Sequence, residues 1–215
     1  MKEQESTYNF IAIEGNIGAG KTTLAKKIAE DFNARLILEQ FAENPFLPKF
    51  YAEPEKHAFP LELSFLAERY QQLKTELGSQ DLFKSGIISD YFFLKSLIFA
   101  QANLGADEFG LYSKLFHIIN DSLPKPDLFV YLYHDVERLQ ENIKKRGRSY
   151  EQNISNDYLL KVQTAYFDFI KQLKDLRILV VDVNNIDFAN DKEHYDKLLE
   201  IINQSYDFGI TRITA

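Results

Sequence analysis

The 215-residue chain carries 25 Lys and Arg against 32 Asp and Glu, a net charge of −7, with 45% hydrophobic and 27% charged residues. That size supports one domain with a full core, and the negative balance excludes a general binder of nucleic acid or of an anionic membrane surface. The absence of cysteine excludes disulfides, thiolate chemistry and cysteine–zinc sites. Residues 1–6 lack the apolar core of a signal peptide. The apolar run 92–100 is short for a membrane span and is interrupted by Lys95. The expectation is a soluble, cytoplasmic protein with no membrane partner, whose positive charge gathers around a small anionic ligand.

Five apolar runs predict strands, at about 8–14, 34–39, 86–90, 127–133 and 177–183, with helical periodicity between them. Strands alternating with helices imply an α/β fold: a five-stranded parallel sheet with helices on both faces and ligands at the carboxyl ends of the strands. The first strand runs into Gly15, Asn16, Ile17, Gly18, Ala19, Gly20, Lys21 and Thr22, with Thr23 following. This is the pattern G-x-x-x-x-G-K-[ST] between a strand and a helix. Its glycines allow the backbone to close around an anion, and successive N–H groups and the helix N-terminus converge on one spot. Lys21 can reach β- and γ-phosphates, and the Thr22 hydroxyl is the expected Mg²⁺ ligand.

Glu39 closes the second predicted strand and opens onto the same rim, either as a loop acid or as a cleft carboxylate. Residues 44–51 contain two prolines and several aromatics, and Tyr51 is either a core ring or a phenol facing a cleft. A helix follows at about 59–77. Glu62 and Arg69 lie seven residues apart on one face of it, the spacing of a solvated ion pair two turns long. Asp90 ends the third strand, where an acid either caps the next helix or holds Mg²⁺. The helix after it carries Lys95 among apolar residues. Residues 135–148 form another helix, which ends in Lys144-Lys145-Arg146-Gly147-Arg148. In an acidic chain this cluster reads as a lid clamp for a negatively charged group, over about 144–156. His57, His117, His134 and His194 show no metal-ligand spacing and read as incidental.

Several of these stretches in order resemble the deoxynucleoside kinases: residues 51–62, 146–152 and 182–188, together with the phosphate loop. The resemblance covers most of the chain. It implies a single domain over 1–215, phosphoryl transfer from Mg-ATP to the 5′-hydroxyl of a deoxynucleoside, and a homodimer built on helices. It also implies Glu39 as the base, Tyr51 and Glu151 on the sugar 3′-hydroxyl, Arg146 and Arg148 as the lid over the phosphates, Asp187 and Phe188 beside the adenine, and Leu47 and Phe99 as nucleobase walls. Where the family carries an acid-Arg-Ser signature this chain reads Ser89-Asp90-Tyr91. The arginine that steadies the catalytic carboxylate is therefore missing, with Lys95, at a usually acidic position, as the candidate substitute. Asn142 stands where the lid often has another arginine. Glu62 stands where the family commonly uses glutamine to read the base. A carboxylate only accepts hydrogen bonds and guanine offers two adjacent donors, so deoxyguanosine is expected ahead of deoxyadenosine, with Arg69 and Lys95 as possible donors to the base. The rivals are a nucleoside monophosphate kinase and a nucleotide-binding regulator whose catalysis has decayed.

Overall fold

The structure is a computed structural model and describes residues 6–40, 44–78 and 83–215; most of the N-terminal stretch read above, residues 1–5, lies outside them. The strands are β1 (Phe10–Gly15), β2 (Arg35–Ile37), β3 (Ile87–Ser89), β4 (Leu128–Tyr133), β5 (Arg177–Asp182) and β6 (Gly209–Thr214). They form one parallel sheet in the order β2-β3-β1-β4-β5-β6. The helices are α1 (Lys21–Asp31), α2 (Leu47–Ala52), α3 (Pro54–Leu77), α4 (Leu94–Asn103), α5 (Ala106–Asn120), α6 (Val136–Arg146), α7 (Asn156–Ile170) and α8 (Lys192–Ile202), with a 3₁₀ turn at Ser149–Glu151.

Alternation along the strands feeds two cores. Ile11, Ile13, Val130, Leu132 and Leu179 face one side and pack with Leu24 and Ile28 of α1 and Leu198 of α8. Phe10, Ala12, Phe129, Tyr131, Ile178 and Val180 face the other and pack with Leu97 of α4 and Val162 and Tyr166 of α7. Both faces of β1 are therefore buried along its whole length, and its carboxyl end lies mid-sheet between β3 and β4. That position centres the phosphate loop on the carboxyl rim.

The sheet has six strands, not the five expected from sequence. β6 pairs with β5 from Arg177↔Gly209 to Asp182↔Thr214, and its residues alternate between half-buried and exposed. An edge strand buries only one face, so a search for continuous apolar runs passes over Gly-Ile-Thr-Arg-Ile-Thr, whose signal is period-two alternation. The segment with two prolines contains most of α2. Pro48 lies in its first turn, where the missing N–H would have no helical partner. Likewise α3 starts at Pro54 and runs through Pro60, earlier than the expected residue 59. Among the described residues no helix is long and apolar enough to cross a membrane.

Candidate active site

The phosphate loop is held by contacts on both flanks. The Asn16 side chain accepts from Ile17 N at 2.8 Å and donates to Leu159 O of α7 at 2.8 Å. Asn142 of α6 donates to Gly18 O at 2.9 Å. Gly20 adopts φ +83° at the start of α1, where an added Cβ would lie 2.8 Å from the Phe188 ring; only glycine suits both the dihedral and the space. Lys21 Nζ donates to Gly15 O at 3.0 Å and Asn16 O at 2.9 Å, folded over the loop. Burial and then Lys95 push its ammonium down to about 8, opposed by Glu14, Glu39 and Asp90. A groove beside the loop is lined by Gly18, Ala19, Gly20, Thr22, Thr23, His134, Arg138, Asn142, Asp187 and Phe188.

On the inner side of the loop lies a cavity whose walls include Ile17, Lys21, Thr22, Glu39, Leu47, Tyr51, Glu62, Arg69, Asp90, Lys95, Phe99, Arg146, Arg148 and Glu151. Glu39 is its central carboxylate, and two cations clamp it. Arg69 donates Nε to Oε1 at 2.8 Å, with Nη2 at 2.7 Å from the same oxygen, and Lys95 donates to Oε2 at 2.5 Å. Ser96 Oγ accepts from Arg69 Nη1 at 3.0 Å. Burial pushes the Glu39 carboxyl up, but Lys95 and Arg69 overcome it and hold it at about 2. A clamp of this kind orients the carboxylate and keeps it ionised. Asp90 ties the two sides together: Oδ1 accepts from Glu39 N at 2.7 Å, and Oδ2 accepts from the Thr22 hydroxyl at 2.5 Å. Paired hard oxygens at a phosphate loop fit a Mg²⁺ ion that takes its remaining ligands from water and phosphate. Among the described residues no cluster of three His, Cys, Asp or Glu side chains makes a separate cage.

The outer wall carries Arg146 at the end of α6, Gly147 in the left-handed conformation that ends the helix, and Arg148. Both guanidiniums bond Glu151, Arg148 Nη1 at 3.2 Å from Oε1 and Arg146 Nη2 on Oε2. The Tyr51 ring stacks on Tyr150 at 6.1 Å between centroids. Burial, then Tyr158 and Glu151, push its phenol well above the ordinary range, so it remains a neutral donor.

The model of the deoxynucleoside kinase family matches residues 11–206. The chain belongs to the deoxynucleoside kinase family. It is 39% identical over 199 residues to the deoxyguanosine kinase of Bacillus subtilis (strain 168), covering 90% of this chain and 95% of that one. To the deoxyadenosine/deoxycytidine kinase of the same organism it is 29% identical over 207 residues, covering 94% and 95%. The solved deoxyadenosine kinase from M. mycoides, with products dCMP and a flexible dCDP bound, superposes with a TM-score of 0.77 at 28% identity, covering 90% of this chain and 98% of that one. The protein is therefore an enzyme, a phosphotransferase acting on deoxynucleosides.

Within this deoxynucleoside kinase, most of the residues singled out from sequence line the cavity or the groove, while Gly15 and Asn16 line neither and hold the loop from within. Glu62 and Arg69 do not form the solvated pair their spacing predicts. Both are buried, at 1% and 4% exposure, and Arg69 turns to Glu39 while Glu62 Oε1 accepts from Asn103 at 2.7 Å. Lys95 stands on Glu39, where the sequence reading suspected a substitute for the missing arginine. His134, incidental by its sequence spacing, is a buried wall of the groove beside the phosphate loop; burial and then Arg138 push its imidazole down to about 4, so it is neutral at neutral pH. Sequence reasoning missed Asn103 and Tyr158, both of which line the cavity. Asn103 had a signal: Lys95, Phe99 and Asn103 recur every four residues, one stripe of α4. Glu14, near the carboxyl end of β1, carries no motif signal of its own. It is fully buried and accepts from Phe92 N at 2.7 Å and the Tyr166 hydroxyl at 2.8 Å, which anchors the entry to α4.

Proposed function

We propose that this kinase transfers the γ-phosphoryl group of Mg-ATP to the 5′-hydroxyl of a purine deoxynucleoside, deoxyguanosine ahead of deoxyadenosine. The observation that carries the reading is that Lys21, Thr22 and Glu39 line one cavity. A sugar hydroxyl bound there lies between a carboxylate and the end of a triphosphate held by the loop. Glu39 accepts the hydroxyl proton as the oxygen bonds to the γ-phosphorus and the bond to the β–γ bridging oxygen breaks. Lys21, Arg146 and Arg148 neutralise charge on the transferring group; the arginines exchange Glu151 for phosphate oxygens as the 144–156 lid closes. Thr22 and Asp90 would hold Mg²⁺, which when bound neutralises the β- and γ-phosphates. Tyr51 and Glu151 bind the 3′-hydroxyl, Leu47 and Phe99 flank the base, and Asp187 and Phe188 border the donor base.

The preference for guanine rests on Glu62, buried at the cavity wall as an acceptor. The deoxyguanosine kinase of B. subtilis, 39% identical, supports the same choice. A panel of four deoxynucleosides and their monophosphates, incubated with labelled ATP, tests the reading. The expected product is deoxyguanosine monophosphate, followed by deoxyadenosine monophosphate. Faster turnover of thymidine or deoxycytidine contradicts the purine assignment, and phosphorylation of the monophosphates alone contradicts the acceptor.

A further inference from the structure

Glu62 is a buried acid whose neighbours leave it half satisfied. Oε1 accepts from Asn103 Nδ2, and Oε2 has no hydrogen-bond partner among the described residues. A buried carboxylate oxygen in that condition is costly until a proton or a ligand donor satisfies it. The charged and titratable groups around it are Arg69 on α3, Lys95 on α4, Glu39 beyond β2, Tyr112 on α5 and Tyr158 on α7. Arg69 and Lys95 both bond Glu39. Burial, with Glu62 next, raises both tyrosines above their ordinary values, so neither carries charge. Among the described residues, no neighbour therefore neutralises Glu62 through a direct ion pair. Burial pushes its carboxyl up to about 7, against the opposing pull of Arg69 and the Asn103 bond. Both protonation states are thus accessible near neutral pH.

The two states present different patterns to a purine edge. A carboxylate offers two acceptors, which complement guanine N1–H and its 2-amino group. A carboxylic acid offers one donor and one acceptor, which complement adenine N1 and its 6-amino group. We propose that Glu62 is a protonation-dependent base reader, held in register by Asn103, which accepts guanine in its ionised form and adenine in its protonated form. This inference rests on the nucleoside reading of the cavity. Asn103 acts as a positioning residue: its amide occupies one lone pair of Oε1 and favours the ionised form, leaving the other lone pair and Oε2 for the two-point contact with the base.

The consequence is measurable without knowing the titration point. If each purine needs one form, the ratio of their kcat/KM values follows the ratio of carboxylate to acid, which changes about tenfold per pH unit. Groups that act on both substrates alike, Glu39 and Lys21 among them, cancel when both purines compete in one mixture. The experiment is therefore competitive phosphorylation of deoxyguanosine and deoxyadenosine between about pH 6 and 8, around the Glu62 value. The deoxyguanosine-to-deoxyadenosine ratio should rise with pH, approaching about tenfold per unit. In Glu62→Gln the ratio should be flat. In Asn103→Ala it should keep its slope but shift toward deoxyadenosine, because loss of the amide donor favours the acid; a purely structural role would lower both rates and leave the ratio unmoved. A ratio independent of pH in the wild type, or a slope that persists in Glu62→Gln, overturns the inference while leaving the kinase reading intact. Failure to phosphorylate either purine overturns the purine reading of the cavity and the inference with it.

Discussion

The phosphate loop is built from residues 15–23, contiguous in the chain, whereas the cavity proposed for the acceptor assembles side chains from α2, α3, α4, α7 and the segment after β2. The loop is specified by dihedrals and by lack of room: at Gly20, a φ of +83° and the Phe188 ring together demand glycine. The cavity is specified by buried charge. Glu39 is satisfied twice over by Arg69 and Lys95, while Glu62 on the same wall lacks a partner for one oxygen. On the reading proposed above, the clamped carboxylate is the one required in a single ionisation state, and the open one is the one that meets the base. Asp90 couples the two regions through the Thr22 hydroxyl and the Glu39 amide.

Substitutions that damage one region and spare the other sharpen this contrast. The largest effect is expected from Lys95→Met. Removing one partner of a buried ion pair costs about 3–5 kcal/mol, here toward the low end because Arg69 remains on Glu39. Thermal unfolding should shift down and kcat should fall, while ATP binding, measured by calorimetry, stays near the wild-type value. Weakened ATP binding at unchanged kcat would place Lys95 on the donor side instead.

Glu62→Gln should act in the opposite direction on stability. The folded carboxyl lies at about 7, above its ordinary value of 4.5. The unfolded chain therefore releases the proton first as pH rises, and Glu62 destabilises the fold progressively from about pH 4.5 to 7 and fully above it. Relative to wild type, Glu62→Gln should gain stability between these limits, by up to about 3 kcal/mol. Denaturant melts at pH 5 and 8 read this directly; a difference that does not change with pH would mean that Glu62 is ionised throughout. The smallest effect is expected from Gly20→Ala, about 1–2 kcal/mol from the left-handed dihedral together with a small shift of the Phe188 ring, which a Cβ would meet at 2.8 Å. It should appear as a raised KM for ATP with the KM for deoxynucleoside unchanged, and equal changes in both would deny the separation of the two regions.

The contrast also explains what could be read from the chain. The phosphate loop, the order of strands and helices and the positions of Glu39 and Asp90 at strand ends are local patterns, legible from spacing alone. β6 escaped because half-exposed alternation is a weaker signal than a buried run. The pairing of Arg69 with Glu39 rather than Glu62 was not legible. It depends on how α3 packs against the end of β2, across about thirty residues of sequence. The role of Asn103 was hidden because its partner lies on a different helix, although the four-residue stripe from Lys95 marked the face.

The central claim is that Glu39, clamped opposite the phosphate loop, takes the proton of the acceptor hydroxyl. It is tested most directly by measuring ATP binding and deoxyguanosine phosphorylation together in Glu39→Gln, whose amide keeps the shape of the side chain but cannot serve as the base. ATP affinity should remain near that of the wild type while kcat falls by about 10²–10⁴-fold. Undiminished turnover would contradict the account.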